Sequence, residues 1–155
     1  MTSNGDLIQM LRPELQSWQF WALLSASFAA LTAIFAKVGV SNVNSDFATL
    51  FRTAIILPTL GALVVATGQI PPLSSVSGRT YLFLTLSALA TGASWLCYFR
   101  ALQIGDASQV APVDKLSVVL VAVFGVIFLG ERLSLRGWTG IAFITIGVLL
   151  IAWKR

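Results

Sequence analysis

Three ionisable side chains, Arg52, Asp114 and Lys115, stand inside long apolar stretches of this chain, and Arg100 stands near the end of another. A charge at membrane depth costs several kcal/mol unless it is paired, hydrated or drawn out to the interface. Asp114 is the one acid inside such a stretch, so its candidate partners are Arg52 and Arg100 on other helices. Lys115 follows it directly and, on a regular helix, points about 100° away. A second set carries hydroxyls. Ser87, Thr91, Ser94 and Tyr98 fall at i, i+4, i+7 and i+11, a single helical stripe bordered by Trp95. Ser25 and Thr32 are seven apart, and Thr59 follows Arg52 by seven. Hydroxyls, an amphipathic Tyr and Trp and a few charges suit a wet, aromatic-edged cavity for a medium-sized polar or amphipathic solute. The same groups also suit interhelical hydrogen bonds and an ion pair that locks helices together. Two readings therefore stand at this point. Arg52, Thr91, Ser94, Trp95, Tyr98, Arg100, Asp114 and Lys115 form either a substrate pathway or a set of ties between helices.

Other chemistry is short of residues. The chain contains no histidine, which excludes histidine-based metal sites, Ser–His and Cys–His catalysis and a histidine proton relay. The single cysteine, Cys97, has no intrachain disulfide partner and reads as a small apolar packing residue. Gly92-Ala93-Ser94 looks like a fragment of a serine-protease motif without its base, and Gly105-Asp106 reads as a turn with no second acid to make a dyad. An enzyme is not expected, nor a cofactor or metal. The net charge of +4 is spread singly at helix ends. With no basic patch, nucleic acid is not expected as a partner; the charges suit anchoring at the interface and attraction to anionic lipid head groups.

Five apolar runs must position these residues: Trp18–Ala36, Phe47–Gly68, Thr80–Ile104, Ser108–Leu129 and Gly137–Trp153. Each approaches the roughly 20 helical residues that cross a hydrocarbon core about 30 Å thick. The chain of 155 residues is 57% hydrophobic and 10% charged, with a mean hydropathy of +0.86, too few charges to solvate a water-facing surface. The expected fold is all-α: a polytopic membrane protein built as a bundle of five transmembrane helices, multi-pass in a bacterial-type inner or plasma membrane. Continuous rather than alternating apolar runs disfavour a β-barrel.

Residues 1–17 read as a polar or interfacial segment and 18–155 as one five-helix domain. Within the first segment Leu7–Leu15 is either a short surface helix or disordered. The first run exceeds the h-region of a cleaved signal peptide. Short polar connections at 41–46, 69–78, 105–106 and 130–136 make successive helices antiparallel neighbours. Arg52, about 5 residues into the second span, and Asp114 and Lys115, about 7 residues into the fourth, then share one shallow layer with Tyr98 and Arg100 at the end of the third. Pro58 is expected to kink the second span, whereas Pro112 lies near the start of the fourth, where its penalty is smaller. Trp18, Trp21, Trp138 and Trp153 form an interfacial belt. Small residues recur on the first, second and fifth spans, and the pair Gly140 and Gly147 is a candidate subunit interface.

Five spans put the termini on opposite sides. One side then holds Arg12, Arg79, Arg132 and Arg136, the other Lys37, Arg52, Arg100, Lys154 and Arg155. A cytoplasmic face ordinarily shows a clear Lys/Arg excess; here the sides nearly balance. Either Arg52 and Arg100 belong elsewhere, or the chain inserts both ways and pairs as an antiparallel homodimer. No internal repeat is visible.

The stretch Trp95–Arg100, followed by Ala101-Leu102-Gln103-Ile104-Gly105-Asp106-Ala107-Ser108 and Val110-Ala111-Pro112-Val113-Asp114-Lys115-Leu116-Ser117, resembles the EamA domain of the drug/metabolite transporter superfamily. Phe128-Leu129-Gly130-Glu131-Arg132-Leu133-Ser134 looks like that family's motif at the end of the fourth helix. The resemblance implies the five-helix fold and a secondary transporter or exporter of a small metabolite. Most family members carry two inverted five-helix halves, so it also implies a homodimer or a related five-helix subunit as partner. The superfamily's four-helix multidrug transporters use a membrane Glu in their first helix. Span one here has no acid, so that coupling does not carry over, and Asp114 is the available substitute. The competing reading is a non-transporting accessory or assembly subunit of a membrane complex.

Overall fold

Polar connections start the helices. Asn44 caps one helix, its Oδ1 accepting from the Asp46 and Phe47 N–H groups at 2.8 and 3.3 Å. Ser77 Oγ accepts from the Thr80 N–H at 3.2 Å and Ser134 Oγ from the Gly137 N–H at 3.2 Å. Each cap satisfies backbone donors that a helix leaves open at its start. In this computed structural model, which describes residues 17–153, the resulting elements are α1 (Trp18–Gly39), α2 (Ser45–Ala66), α3 (Gly78–Ile104), α4 (Ala107–Asp114), α5 (Ser117–Phe128) and α6 (Leu135–Ala152), with a 3₁₀ turn at Leu73–Ser75. No strand occurs among the described residues. Among the described residues, five helices are long and apolar enough to cross a membrane, α4 and α5 together making the fourth. The N-terminal segment, including Leu7–Leu15, lies outside the described residues, as do Lys154 and Arg155.

The chain divides into two compact units, residues 1–36 and 37–155. The described part of the first is α1 up to Ala36, where Phe20 meets Trp21 edge-on at 5.5 Å. In the second, α2 packs on α3, α4 packs on α3 and α6, and α5 packs on α6. Its buried apolar side chains are few: Val40, Phe99, Leu102 and Val148. The first three, with Ser45 and Thr49, lie where α2 begins and α3 ends. Most large apolar side chains are exposed, Leu57 at 72% and Leu135 at 81% for example, the distribution expected of helices solvated by lipid.

Two polar side chains tie the buried end together. Lys37 Nζ donates to the carbonyls of Leu102 and Gly105 at 2.7 and 2.8 Å. Gln103 Nε2 donates to the carbonyls of Val40 and Val43 at 3.2 and 2.6 Å. The Lys37 ammonium thus sits on the negative end of α3.

The fourth span is interrupted. α2 runs unbroken through Pro58. The break falls at Lys115 and Leu116, three residues after Pro112. Lys115 N–H reaches the Pro112 carbonyl at 3.0 Å, Leu116 that of Val113 at 3.0 Å, Val118 that of Lys115 at 3.0 Å and Val119 that of Leu116 at 3.0 Å. These i→i+3 bonds tighten the backbone into 3₁₀ geometry, a form that often marks a hinge.

Candidate functional site

α3 presents Ser94, Cys97, Tyr98 and Ala101 on one face, at the i, i+3, i+4 and i+7 spacing of a helical stripe. α4 faces it with Gln109, Val110, Val113 and Asp114, and Ala152 closes the end from α6. Together they line a partly open cavity of about 360 Å³, within the range of small-molecule clefts. Small side chains at Ala101 and Ala152 leave the space, and a tight corner brings the walls together. A Cβ on Gly105 would stand 2.9 Å from Val110 Cγ2 and 3.3 Å from the Ala101 carbonyl. Glycine at this position therefore lets α4 fold directly back on α3.

Of the eight residues expected at a substrate pathway, Ser94, Tyr98 and Asp114 line the cavity. Among the described residues, Asp114 is the one charged side chain in the lining. Its partner is not on a neighbouring helix. Lys115 Nζ bonds Asp114 Oδ2 at 3.1 Å, in place of the expected Arg52 or Arg100. The 100° offset assumed between adjacent residues holds only on a continuous helix; α4 ends at Asp114, and Lys115 occupies the turn that follows.

Arg52 serves a different contact. Its guanidinium lies over the Trp95 ring, 4.3 Å from the centroid, and 5.6 Å from that of Phe99, so Trp95 and Arg52 form a cation–π shelf between α2 and α3. Tyr98 lines the cavity three residues after Trp95 on α3, so one stretch of helix serves both shelf and cavity. Arg100 is exposed and outside the lining. Thr91 is also exposed, its hydroxyl donating to the Ser87 carbonyl at 2.9 Å. Thr59 does the same to Ile55 at 2.8 Å. A helical threonine reaches the carbonyl one turn back, so neither hydroxyl needs a partner on another helix.

Four contributors escaped the sequence reading. Gln109 adds an amide to the cavity; its signal was an i+4 relation to Val113, beside Asp114. Cys97 is exposed on the cavity wall, where a packing residue was expected. Lys37 and Gln103 hold the end of α3 through contacts spanning 60 or more residues, a distance at which sequence spacing carries no information. Among the described residues no group of three or more His, Cys, Asp or Glu side chains could hold a metal ion.

The sequence pattern of the EamA-like transporter family matches residues 16–153. An uncharacterized transporter in the cobO 3′ region of Sinorhizobium sp. is 68% identical over 137 residues, covering 88% of this chain and 97% of that protein. The probable 4-amino-4-deoxy-L-arabinose-phosphoundecaprenol flippase subunit ArnE of Yersinia pestis (strain Pestoides F) is 34% identical over 74 residues, 48% of this chain and 65% of that protein. The protein of the same description in Yersinia pseudotuberculosis serotype O:1b gives the same figures. No solved structure matches the chain.

Proposed function

Because the chain belongs to the EamA-like transporter family, we propose that it carries a small polar or amphipathic solute across the bilayer by alternating access, through the cavity between α3, α4 and α6. The observation that carries this reading is the position of the cavity. Its polar groups, Ser94, Tyr98, Gln109 and Asp114, sit within transmembrane helices and beside a break in the fourth span. Lipid-facing helices gain nothing from such a lining, and discontinuous helices at membrane depth are tolerated where they border a cavity. The interruption supplies a point at which α4 moves against α5 while α3 stays fixed by Lys37 and Gln103. Nothing in this cycle requires a bond to be made or broken.

One five-helix unit forms half of the two-unit arrangement that inverted-repeat transporters use, so a second unit completes the passage. An antiparallel copy of the same chain agrees with the near-equal charges on the two sides. A second reading, in which the partner is a related but different chain, is favoured by one finding: ArnE of Yersinia pestis is described as a subunit of a flippase. In that case this chain is one component of a two-chain carrier.

Flux of candidate solutes into proteoliposomes tests the passage. Asp114→Asn and Tyr98→Phe are expected to insert and purify normally. Asp114→Asn is expected to lower flux about ten-fold or more, the loss that follows from removing a charge-assisted contact. Wild-type flux in both variants would take the cavity out of the mechanism.

A further inference from the structure

We propose that the cavity takes cationic, amine-bearing solutes, and that the ammonium of Lys115 is a resident competitor that such a solute displaces from Asp114. The inference rests on reading the cavity as the solute passage and goes on to name what that passage selects. Asp114 is the single charged group among the described residues of the lining, and a carboxylate only accepts hydrogen bonds. Arg52, the cation of α2, lies over the Trp95 and Phe99 rings and is not part of the lining. Tyr98 adds an aromatic ring beside the carboxylate. A carboxylate and a π-face together are the chemistry that recognises an ammonium group.

The resident pair is built to exchange. Lys115 bonds Asp114 through Oδ2, leaving Oδ1 able to accept from a second donor. The two side chains are 57% and 34% exposed, so neither is packed in place by its neighbours. Lys115 also stands in the turn between α4 and α5, so its stem swings without unwinding either helix. Once displaced, a lysine of this reach carries its charge out to the interface. The carboxylate is thereby neutralised both before and after loading, and it never crosses the membrane as an unpaired charge.

The single cysteine, Cys97, is a reporter already in place, exposed on the same wall. The experiment compares the labelling rate of the full-length purified chain by a cationic methanethiosulfonate, bearing ethyltrimethylammonium, with that by an anionic one, bearing ethylsulfonate. The ratio is normalised to a free thiol in solution. The expected wild-type ratio favours the cation. It rises by about three-fold or more in Lys115→Gln, where the competitor is gone, and falls to the free-thiol value in Asp114→Asn. Lys115→Arg, which keeps a competing cation, is expected to hold the wild-type ratio and so separates charge from disturbance of the turn. Preference for the anionic reagent, or a ratio that falls in Lys115→Gln, would overturn the cation inference while leaving the cavity accessible. Failure of both reagents to reach Cys97 would overturn the inference and the solute passage together.

Discussion

An ammonium held by two backbone carbonyls has more to lose than one at a water-facing helix end. Lys37 donates to Leu102 and Gly105 at a part-buried position, where α3 would otherwise leave acceptors open. Lys37→Met keeps the stem and removes the donors. It is expected to cost about 1–3 kcal/mol, seen as a lower Tm of the detergent-purified protein; an unchanged Tm would mean that water replaces the ammonium. From sequence, this lysine belonged among scattered interfacial anchors, because its partners lie 65 and 68 residues away. Ser94 and Tyr98 were legible for the opposite reason: their spacing on one helix already fixes a shared face. Thr91, on the same stripe, donates its hydroxyl to its own helix, a contact that stripe spacing alone does not reveal. Asp114 was singled out from sequence as the acid of the layer, but its partner depends on where the backbone stops being helical.

At the scale of elements, the five spans were readable to within a few residues, since bilayer thickness sets the length of each apolar run. The second span was expected from Phe47 and begins at Ser45; the fourth was expected to reach Leu129 and ends at Phe128. The interruption inside the fourth span was not readable. The break lies three residues past Pro112, near the start of the span, where the proline penalty was expected to be small. Pro112→Ala restores a backbone donor, and the expected result is a helix continuous through Lys115 and Leu116. Slower amide exchange across residues 113–118 would register it, together with separation of Lys115 from Asp114. Exchange as fast as wild type would show that Pro112 is not the cause.

The connection between α5 and α6 offers a second element-level prediction. Gly130 adopts φ +68°, which favours glycine, and the chain then folds back over both helices. A Cβ on Gly125 would lie 2.6 Å from Glu131 Oε2, and one on Gly137 would lie 2.6 and 2.8 Å from Leu133 Cγ and Cδ1. The Glu131 carboxylate is the far end of a flexible chain and swings aside, whereas the branched Leu133 is packed closely along three of its atoms. Gly137→Ala is therefore expected to lower Tm more than Gly125→Ala. The Gly125→Ala loss should also vanish in a Glu131→Ala background, which a double-mutant cycle measures. The family resemblance of Phe128–Ser134 flagged this segment, but sequence alone did not reveal which glycines it covers.

For the whole molecule, the question is what supplies the other half of the passage. The charges on the two sides balance closely enough for a small bias to set orientation. Ser74→Lys with Ser75→Lys adds charge to the loop between α2 and α3. Ser41→Lys with Asn42→Lys adds it to the loop between α1 and α2, on the opposite face. Each double variant is expected to insert with one orientation, read by impermeant labelling of a terminal tag on both faces of the membrane. If the working unit is an antiparallel pair, either variant alone loses most of its flux, and co-expression of the two restores it. Complementation of this kind has no explanation in a parallel dimer, because neither variant alters the cavity. Full flux from one oriented population would instead show that no inverted copy is needed. Flux that appears only when a second, related five-helix chain is supplied would identify the protein as one subunit of a two-chain carrier.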